Sequence, residues 1–202
     1  MSRLLHRLRG EEHGYTLVEL LVVMAILGTV LGGLTTVFVS GSNAQLRLTR
    51  RYQAQQQARL ALDKLRVDIH CASAAQAQTI NTYPGLKLNV TNCYTTATTV
   101  SWCAVPSTTP SRYTLYRTTA TANTCTASDT SRLFVADYLT SSSVFTTSTI
   151  SQYTLQTVGV DIKVSANPTS AAKDPYELSD SIVARNATRC ATSGGCSVPT
   201  LS

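Results

Sequence analysis

The sequence predicts an α+β fold, in which a long N-terminal helix, transmembrane in its first half, packs on an antiparallel β-sheet domain. Three observations predict it. Residues 20–39 contain no charged side chain. Residues 44–70 carry apolar side chains at helical spacing. After residue 71 the chain is rich in Thr and Ser and contains short segments in which apolar and polar residues alternate. Its length suits one domain with appendages.

The uncharged segment of residues 20–39 is about as long as a helix needs to cross a bilayer core, at about 1.5 Å per residue. A secretory signal has a shorter apolar core of about 7–15 residues and a small-residue cleavage site after it. No such site follows here, so we expect the segment to stay in the mature protein. Arg3, Arg7 and Arg9 precede it and favour a cytoplasmic N-terminus. Contact with nucleic acid or acidic lipid is the alternative explanation of these basic residues.

Glu19 lies inside the apolar run, five residues after Gly14. A carboxylate at membrane depth is costly and usually has a function and a partner. The alternative is that Glu19 lies at the interface and reaches into water. No proline precedes Pro84, so the simplest prediction is one helix from about Tyr15 to about Ile69.

Residues 44–70 are predicted to be amphipathic, because their apolar residues recur every three or four positions. These residues are Ala54, Ala58, Ala61, Leu62, Leu65 and Ile69. Arg59 with Asp63, and Lys64 with Asp68, are opposite charges four residues apart. We expect both pairs on the solvent-exposed side of the helix.

Strands are predicted mainly in the last third of the chain. In the clearest segment, residues 157–164, Val and Ile alternate with Gly, Asp and Lys. The predicted strands are residues 132–138, 143–147, 153–164 and 177–185, with a hairpin connection at 166–176. Residues 72–130 are expected to form loops with a few strands.

The chain contains six cysteines, Cys71, Cys93, Cys103, Cys125, Cys190 and Cys196. None forms a C-x-x-C pair and no His lies near them at ligand spacing, so we predict no metal site. An even number of cysteines after an apolar span indicates disulfides in an oxidising compartment. Many connectivities are open, and sequential pairing is the working hypothesis. It is best supported for the last pair, because Gly194 and Gly195 allow so short a loop to turn.

Catalytic motifs are missing from the sequence. It contains no G-x-S-x-G, no H-E-x-x-H and no glycine-rich phosphate loop. The acidic residues of the second half are scattered: Asp137, Asp161, Asp174, Glu177 and Asp180. We therefore predict no enzyme and no cofactor, and an anchored enzyme is the alternative.

A binding module is a further alternative. Aromatic and basic residues could form a surface that stacks on the bases of single-stranded nucleic acid. These residues are Tyr94, Trp102, Tyr113 and Tyr116 with Arg112 and Arg117. The competing explanation is that the aromatic residues fill a small β-core.

The segment Gly14-Tyr15-Thr16-Leu17-Val18-Glu19 and the apolar run after it resemble the type IV prepilin leader and cleavage site. The resemblance implies a pilin-like fold, cleavage after Gly14 by a prepilin peptidase and methylation of the new amine of Tyr15. It gives Glu19 a partner, the α-amine of another subunit in a growing filament. Thr16, Leu17 and Val18 complete the assembly segment, and residues 20–39 would pack helix on helix in the filament core.

The resemblance also implies four segments. They are a leader at 1–14, a transmembrane and filament-core helix at 15–40, its amphipathic continuation at 41–70 and a disulfide-containing β-rich domain at 71–202. The implied partners are prepilin peptidase, other pilin or pseudopilin subunits, an inner-membrane assembly platform and the membrane, with nucleic acid left open. The protein would span the cytoplasmic membrane once, with its C-terminal domain outside, before it enters the filament.

The helix end ARLALDKLRVDIHCA, the strands after it and ELSDSIVARN resemble J-class minor pseudopilins of type II secretion and PilW-like minor pilins. Arg59, Leu62, Leu65 and Asp68 match the helix end of that class. Residues 72–130 depart from its compact pattern. The resemblance implies a minor subunit and leaves a pilus, a secretion pseudopilus and a DNA-uptake pseudopilus open.

Overall fold

A computed structural model describes residues 14–90, 97–109, 111–119, 125–126, 129–149, 154–167 and 175–187. The chain divides into two units, Met1–Leu46 and Arg47–Ser202. One helix, α1, spans Leu17–Cys71. The strands are β1 (Ala74–Ile80), β2 (Tyr83–Asn89), β3 (Thr99–Pro106), β4 (Tyr113–Thr118), β5 (Leu133–Leu139), β6 (Phe145–Thr147), β7 (Thr157–Val164) and β8 (Tyr176–Val183).

In the second unit, α1 buries one apolar stripe against the sheet, as the sequence predicts. All six stripe residues are at most 4% exposed: Ala54, Ala58, Ala61, Leu62, Leu65 and Ile69. The three alanines on this face allow the helix backbone to approach the sheet closely. Each large apolar side chain buried in this way stabilises the fold by about 1.5–3 kcal/mol.

The two charge pairs expected on the solvent side of α1 do not form among the described residues. Asp68 is completely buried. It lies three positions after Leu65 and next to Ile69, at the border of the buried stripe. Asp63 instead pairs with Arg66 at 3.2 Å. Arg59 donates to the hydroxyl of Tyr176 at 3.2 Å. Arg59 thus bonds to a residue of β8, and Asp63 pairs with a nearer residue of α1, in place of the expected i,i+4 contact.

The eight strands form one antiparallel sheet in the order β1-β2-β3-β4-β5-β7-β6, with β8 paired to β7. β1 and β2 form a hairpin through Asn81 and Thr82, whose φ angles of 45° and 76° are both positive. This is the backbone that two-residue hairpin turns require. β5 and β7 pair only at Leu139 and Val164. The α+β prediction is confirmed.

The segment 72–130 is more regular than the sequence indicated, because it contains the four strands β1 to β4. Of these, β1 reads AAQAQTI and contains little that favours a strand locally, so its pairing with β2 determines its structure. The strands predicted later in the chain are found as β5 to β8 with shifted bounds, and β6 is only three residues long. In β7, Val158, Val160, Ile162 and Val164 are all buried, as their alternation predicts.

The sheet curls so that β1 comes close to the chain entering β7. Gln156, which is 1% exposed, makes the link. Its Oε1 accepts from the backbone N–H of Ala75 at 2.8 Å, and its Nε2 donates to the carbonyl of Ala75 at 2.5 Å. A side-chain amide thus makes the two bonds that a neighbouring strand would make. The N–H of Ala77 also donates to the hydroxyl of Thr147 on β6, at 3.5 Å.

A disulfide joins Cys103 on β3 to Cys125 and closes 22 residues of sequence separation. This is the second of the three sequential pairs. Cys71, at the end of α1, is also disulfide-bonded. Cys93, Cys190 and Cys196 lie outside the described residues, so the pairs Cys71–Cys93 and Cys190–Cys196 stay predictions.

Candidate functional site

The N-terminal turn of α1 is built around Thr16. Gly14, Tyr15 and Thr16 are not helical, and the helix begins at Leu17. The backbone N–H of Glu19 donates to the hydroxyl of Thr16 at 3.3 Å, and the N–H of Leu20 donates to its carbonyl at 3.2 Å. Thr16 is therefore the N-cap residue, with Glu19 three residues later, as in a capping box. Sequence reasoning missed this cap, although its signal, Thr-x-x-Glu, is present in the chain.

The carboxylate of Glu19 remains available to a partner. Glu19 is exposed and lies in the first turn of α1, where the helix dipole favours a negative charge. In a complete capping box its carboxylate would accept from the N–H of Thr16. Among the described residues, only one of the two capping-box bonds forms, the bond from the N–H of Glu19 to the hydroxyl of Thr16. The opposite bond does not form among them, and an external cation can reach the carboxylate.

The peptide bond between Gly14 and Tyr15 lies in exposed, non-helical backbone. Tyr15 is 80% exposed, and a Cβ added at Gly14 would meet no atom within 4 Å. A protease cleft needs an accessible chain in extended form, and a helix would deny it. The helix begins two residues after the bond, which leaves the bond open to cleavage.

The first unit presents apolar side chains on every side of α1. None of the large apolar residues from Leu17 to Val39 is buried, and the exposed ones include Leu17, Val18, Met24, Ile26, Leu31, Leu34 and Phe38. A helix that is apolar all round belongs in a core or a membrane. Among the described residues, α1 alone is long and apolar enough to cross a membrane, by length and composition.

The polar groups of this apolar segment are satisfied within the helix. The hydroxyls of Thr29, Thr35 and Thr36 donate to backbone carbonyls three or four residues earlier, at 2.8, 2.8 and 2.7 Å. An unsatisfied hydroxyl would be costly in lipid. Gly28 and Gly32 have open space where a Cβ would stand, so a neighbouring helix could come close at these positions.

The stacking surface considered as an alternative for nucleic acid does not form as a set, and Trp102 agrees with the competing explanation of an aromatic core residue. Trp102 is fully buried and Arg112 is 3% exposed. Arg117 turns inward to the carboxylate of Asp68 at 2.8 Å. Trp102 fills the core because its indole N–H also finds Asp68 there, which sequence could not show. Tyr94 lies outside the described residues.

One member of that set, the half-buried Tyr116, lies beside an exposed Phe134 on the sheet. Tyr116 on β4 and Phe134 on β5 are opposite each other and pack edge to face, with ring centroids 6.2 Å apart. The guanidinium of Arg132 lies 4.0 Å from the centroid of the Tyr116 ring. Phe134 is 48% exposed, and the pairing of β4 with β5 is irregular at this point.

The scattered acidic residues of the second half mostly take part in surface contacts. Lys163 contacts Glu177 at 2.6 Å and Asp161 at 3.3 Å, and hydrogen bonds to these two carboxylates raise the pKa of Lys163. Asp137 accepts from Thr114 at 3.0 Å. Within the described ranges, no three His, Cys, Asp or Glu side chains lie close enough together to hold a metal ion. Asp174 lies outside those ranges.

Comparison with known proteins gives a match, and it covers the N-terminal segment of the chain. A family model described as the prokaryotic N-terminal methylation motif matches residues 9–35. No curated protein and no solved structure matches the chain. The matched residues include Gly14, Tyr15 and Glu19 and most of the uncharged segment of residues 20–39. The match supports a type IV pilin-like interpretation of the N-terminal segment.

Proposed function

We propose that this chain is a structural subunit of a type IV pilus or of a type II secretion-type pseudopilus. It is inserted in the cytoplasmic membrane as a precursor and assembles through α1. One observation carries the proposal. The methylation motif at residues 9–35 coincides with an exposed Gly14–Tyr15 bond, an exposed Glu19 and a helix that is apolar on all sides.

Processing is the first step. A prepilin peptidase hydrolyses the bond between Gly14 and Tyr15, so that residues 1–14 leave with a new carboxylate and Tyr15 gains an α-amine. Methylation of this amine keeps its positive charge. The open space around Gly14 and the non-helical backbone of residues 14–16 support this step.

Assembly pairs the new amine of one subunit with the carboxylate of Glu19 on another. In an apolar surrounding such a pair attracts strongly, whereas an unpaired carboxylate is costly. Docking in the correct register is then favoured over the alternatives. The apolar side chains of residues 17–39 exchange lipid for neighbouring helices, and Gly28, Gly32 and Gly33 allow these helices to approach closely.

The finer assignment is a minor subunit of the J class or of the PilW-like pilins. It rests on the resemblance of the helix end and of ELSDSIVARN. The burial of Leu62, Leu65 and Asp68 supports it, because these resemblance positions lie in the helix face that packs on the sheet. The disulfide between Cys103 and Cys125 favours a β-rich domain outside the cytoplasm.

The test has two parts. Intact mass and N-terminal sequencing of the membrane-purified chain, with and without an active peptidase, should give a start at Tyr15 with one methyl group only when the peptidase is active. A start at Met1 despite an active peptidase would contradict the proposal. A start beyond residue 40 would indicate a secreted protein.

The second part measures incorporation into filaments. Glu19→Gln should insert into the membrane and be processed but fail to enter filaments. Glu177→Gln, which changes an exposed carboxylate on β8, is the matched control and should enter at the wild-type level. Normal incorporation of Glu19→Gln would exclude the charge pair as the basis of assembly.

A second candidate function is a tip module that binds single-stranded nucleic acid, surfaces or cargo. The exposed Phe134 beside Tyr116 and Arg132 favours it, because aromatic rings stack on bases and arginine contacts phosphate. Full-length chain in detergent should bind a fluorescent oligothymidine at low salt, and binding should fall steeply with salt. Phe134→Ala should weaken it, whereas Leu133→Ala, a control at an equally exposed neighbour, should not. Absence of binding at low salt would remove the nucleic-acid version of this candidate.

A further inference from the structure

A cavity in the second unit lies beside the contact between the end of α1 and β8. Its volume is about 410 Å³. That size lies within the range of about 300–1,000 Å³ usual for small-molecule sites. Its lining residues are Arg66 and His70 from α1, Leu155 from the segment before β7, and Asp180, Ser181, Ile182, Val183 and Arg185 from β8 and the residues after it.

Among the described residues, the lining of the cavity contains two arginines, Arg66 and Arg185, and one aspartate, Asp180. Arg66 donates through Nε to Asp180 at 3.0 Å and through a terminal nitrogen to Asp63 at 3.2 Å. Asp180 and Asp63 therefore both offset the charge of Arg66. Arg185 is exposed, and no hydrogen bond or ion pair of its side chain is found in the described part of the chain. Its charge is available to an anion.

The histidine of the cavity is held in one orientation. Nδ1 of His70 lies 2.9 Å from the backbone carbonyl of Val183. A carbonyl can only accept, so Nδ1 carries the proton of this bond and Nε2 is left for a ligand. Nε2 accepts a hydrogen bond when the ring is neutral and donates one when the ring is protonated.

The rest of the lining is largely apolar. Leu155 and Val183 are half-buried and present apolar surface to the cavity, whereas Ile182 is only 4% exposed. Sites for small organic ligands combine such walls with a few convergent polar groups that fix orientation. A fully hydrated inorganic anion gains nothing from the apolar walls. A ligand with an apolar body and one negative group uses both parts of the cavity.

We propose that this cavity binds a small organic monocarboxylate whose apolar body contacts Leu155 and Val183 and whose carboxylate faces Arg185. The polar side of the site is formed by Arg66, which bonds to Asp180, and by His70, which bonds to the carbonyl of Val183. The site does not depend on the apolar half of α1 or on filament assembly, so it stands apart from the function proposed above.

The test uses the full-length chain in a non-ionic detergent, with His6→Gln and His13→Gln so that His70 is the only histidine left of the three. Benzoate is the probe, benzamide is its neutral analogue and sulfate is a plain anion. The imidazole proton signals of His70 in the NMR spectrum report binding. Benzoate should shift them saturably with a Kd on the order of 1 mM, as expected for so small a ligand.

Benzamide and sulfate should each bind at least about tenfold more weakly, which is a loss of about 1.4 kcal/mol. Arg185→Gln should weaken benzoate binding by a similar factor. Arg51→Gln removes another exposed arginine, which does not line the cavity, and it should leave binding unchanged. Near-ultraviolet circular dichroism verifies that both variants are folded.

Other results would overturn the proposal. Without a saturable benzoate shift, the cavity is no carboxylate site. Equal binding of benzamide would exclude a role for the charge, and equal binding of sulfate would exclude a role for the apolar walls. If Arg185→Gln and Arg51→Gln weakened benzoate binding equally, the attraction would come from the general positive charge of the chain and not from Arg185.

Discussion

The indole nitrogen of Trp102 donates a hydrogen bond of 2.8 Å to Oδ2 of Asp68, deep between α1 and the sheet. Arg117 donates to both oxygens of the same carboxylate, at 2.8 and 3.2 Å. Trp102 is on β3, Arg117 is on β4 and Asp68 is on α1, so one buried charge connects three elements. The carboxylate has its hydrogen-bond partners only when the helix has one rotation and one height over the sheet.

Removing this carboxylate should strongly destabilise the second unit. Asp68→Ala leaves the charge of Arg117 and the indole N–H of Trp102 without their partner. Breaking a buried pair in this way costs about 3–5 kcal/mol. Urea unfolding, followed by the fluorescence of Trp102, the single tryptophan of the chain, measures the loss.

Asp63→Ala is the matched control for that change. Asp63 pairs with Arg66 on the same helix, but its side chain is 67% exposed. The expected loss is below about 1 kcal/mol, the usual value for exposed pairs. Similar losses for the two variants would mean that burial adds nothing to the Asp68 contacts.

Replacing Gln156 should cost more than its single side chain suggests. Gln156→Leu keeps the volume but leaves both the N–H and the carbonyl of the buried Ala75 without the bonds that the amide provides. Each group left unsatisfied costs about 1–3 kcal/mol. We expect a total loss of about 2–6 kcal/mol in the free energy of unfolding.

The control for Gln156 is Gln76→Leu on β1. Oε1 of Gln76 is buried and has no hydrogen-bond partner within the described ranges. Removing a buried group without a partner is neutral or stabilising. If Gln76→Leu destabilised as much as Gln156→Leu, the loss at Gln156 would reflect a generic change from amide to leucine.

Opening the disulfide between Cys103 and Cys125 should destabilise the fold moderately. The bond closes 22 residues of chain separation, which corresponds to about 3 kcal/mol of loop-closure entropy. The double variant Cys103→Ala, Cys125→Ala should lose about this amount in urea unfolding. Each single variant should lose as much. A double variant as stable as wild type would show that the link contributes nothing to the free energy of unfolding.

Asp129 should make the fold sensitive to acid. Desolvation acts to raise the pKa of Asp129, but hydrogen bonds from Thr118 and Ser131 outweigh it and the net pKa is lowered. A lowered pKa stabilises the folded state above the unfolded value of about 3.9. This contribution is lost as the pH falls through the folded value.

The measurement is the free energy of unfolding between about pH 6 and pH 2. Wild type should lose the most on acidification and Asp129→Asn the least. Thr118→Val, which removes one donor at 2.7 Å and keeps the carboxylate, should lie between them. The same acid loss in wild type and in Asp129→Asn would contradict the assignment.

Periodicity made α1 and β7 predictable, because the residues that pack against the core repeat along each element. The same reasoning wrongly placed Asp68 on the solvent-exposed side of α1. Its partners Trp102 and Arg117 are 34 and 49 residues away, and a local pattern places a charge on the solvent side by default. Gln156 meets Ala75 across 81 residues, so its role as a substitute strand has no local signal.

The functional residues also include some that the sequence could identify and some that it could not. Gly14, Tyr15 and Glu19 lie within six consecutive positions, so a short motif is enough to identify them. The cap made by Thr16 is equally local and needs only the Thr-x-x-Glu spacing. The cavity beside β8 was inaccessible to sequence, because His70 and Val183 meet across 113 residues.

The contacts of Gln156 and Thr147 with β1 also bear on aggregation. A strand at the end of a sheet offers unpaired N–H and carbonyl groups, and another chain can extend the sheet there. Here the backbone groups of Ala75 and the N–H of Ala77 are already occupied by side chains of the same molecule. When many copies lie side by side, uncontrolled sheet extension is hindered at these positions, and contacts made elsewhere on the subunit can determine how the copies are arranged.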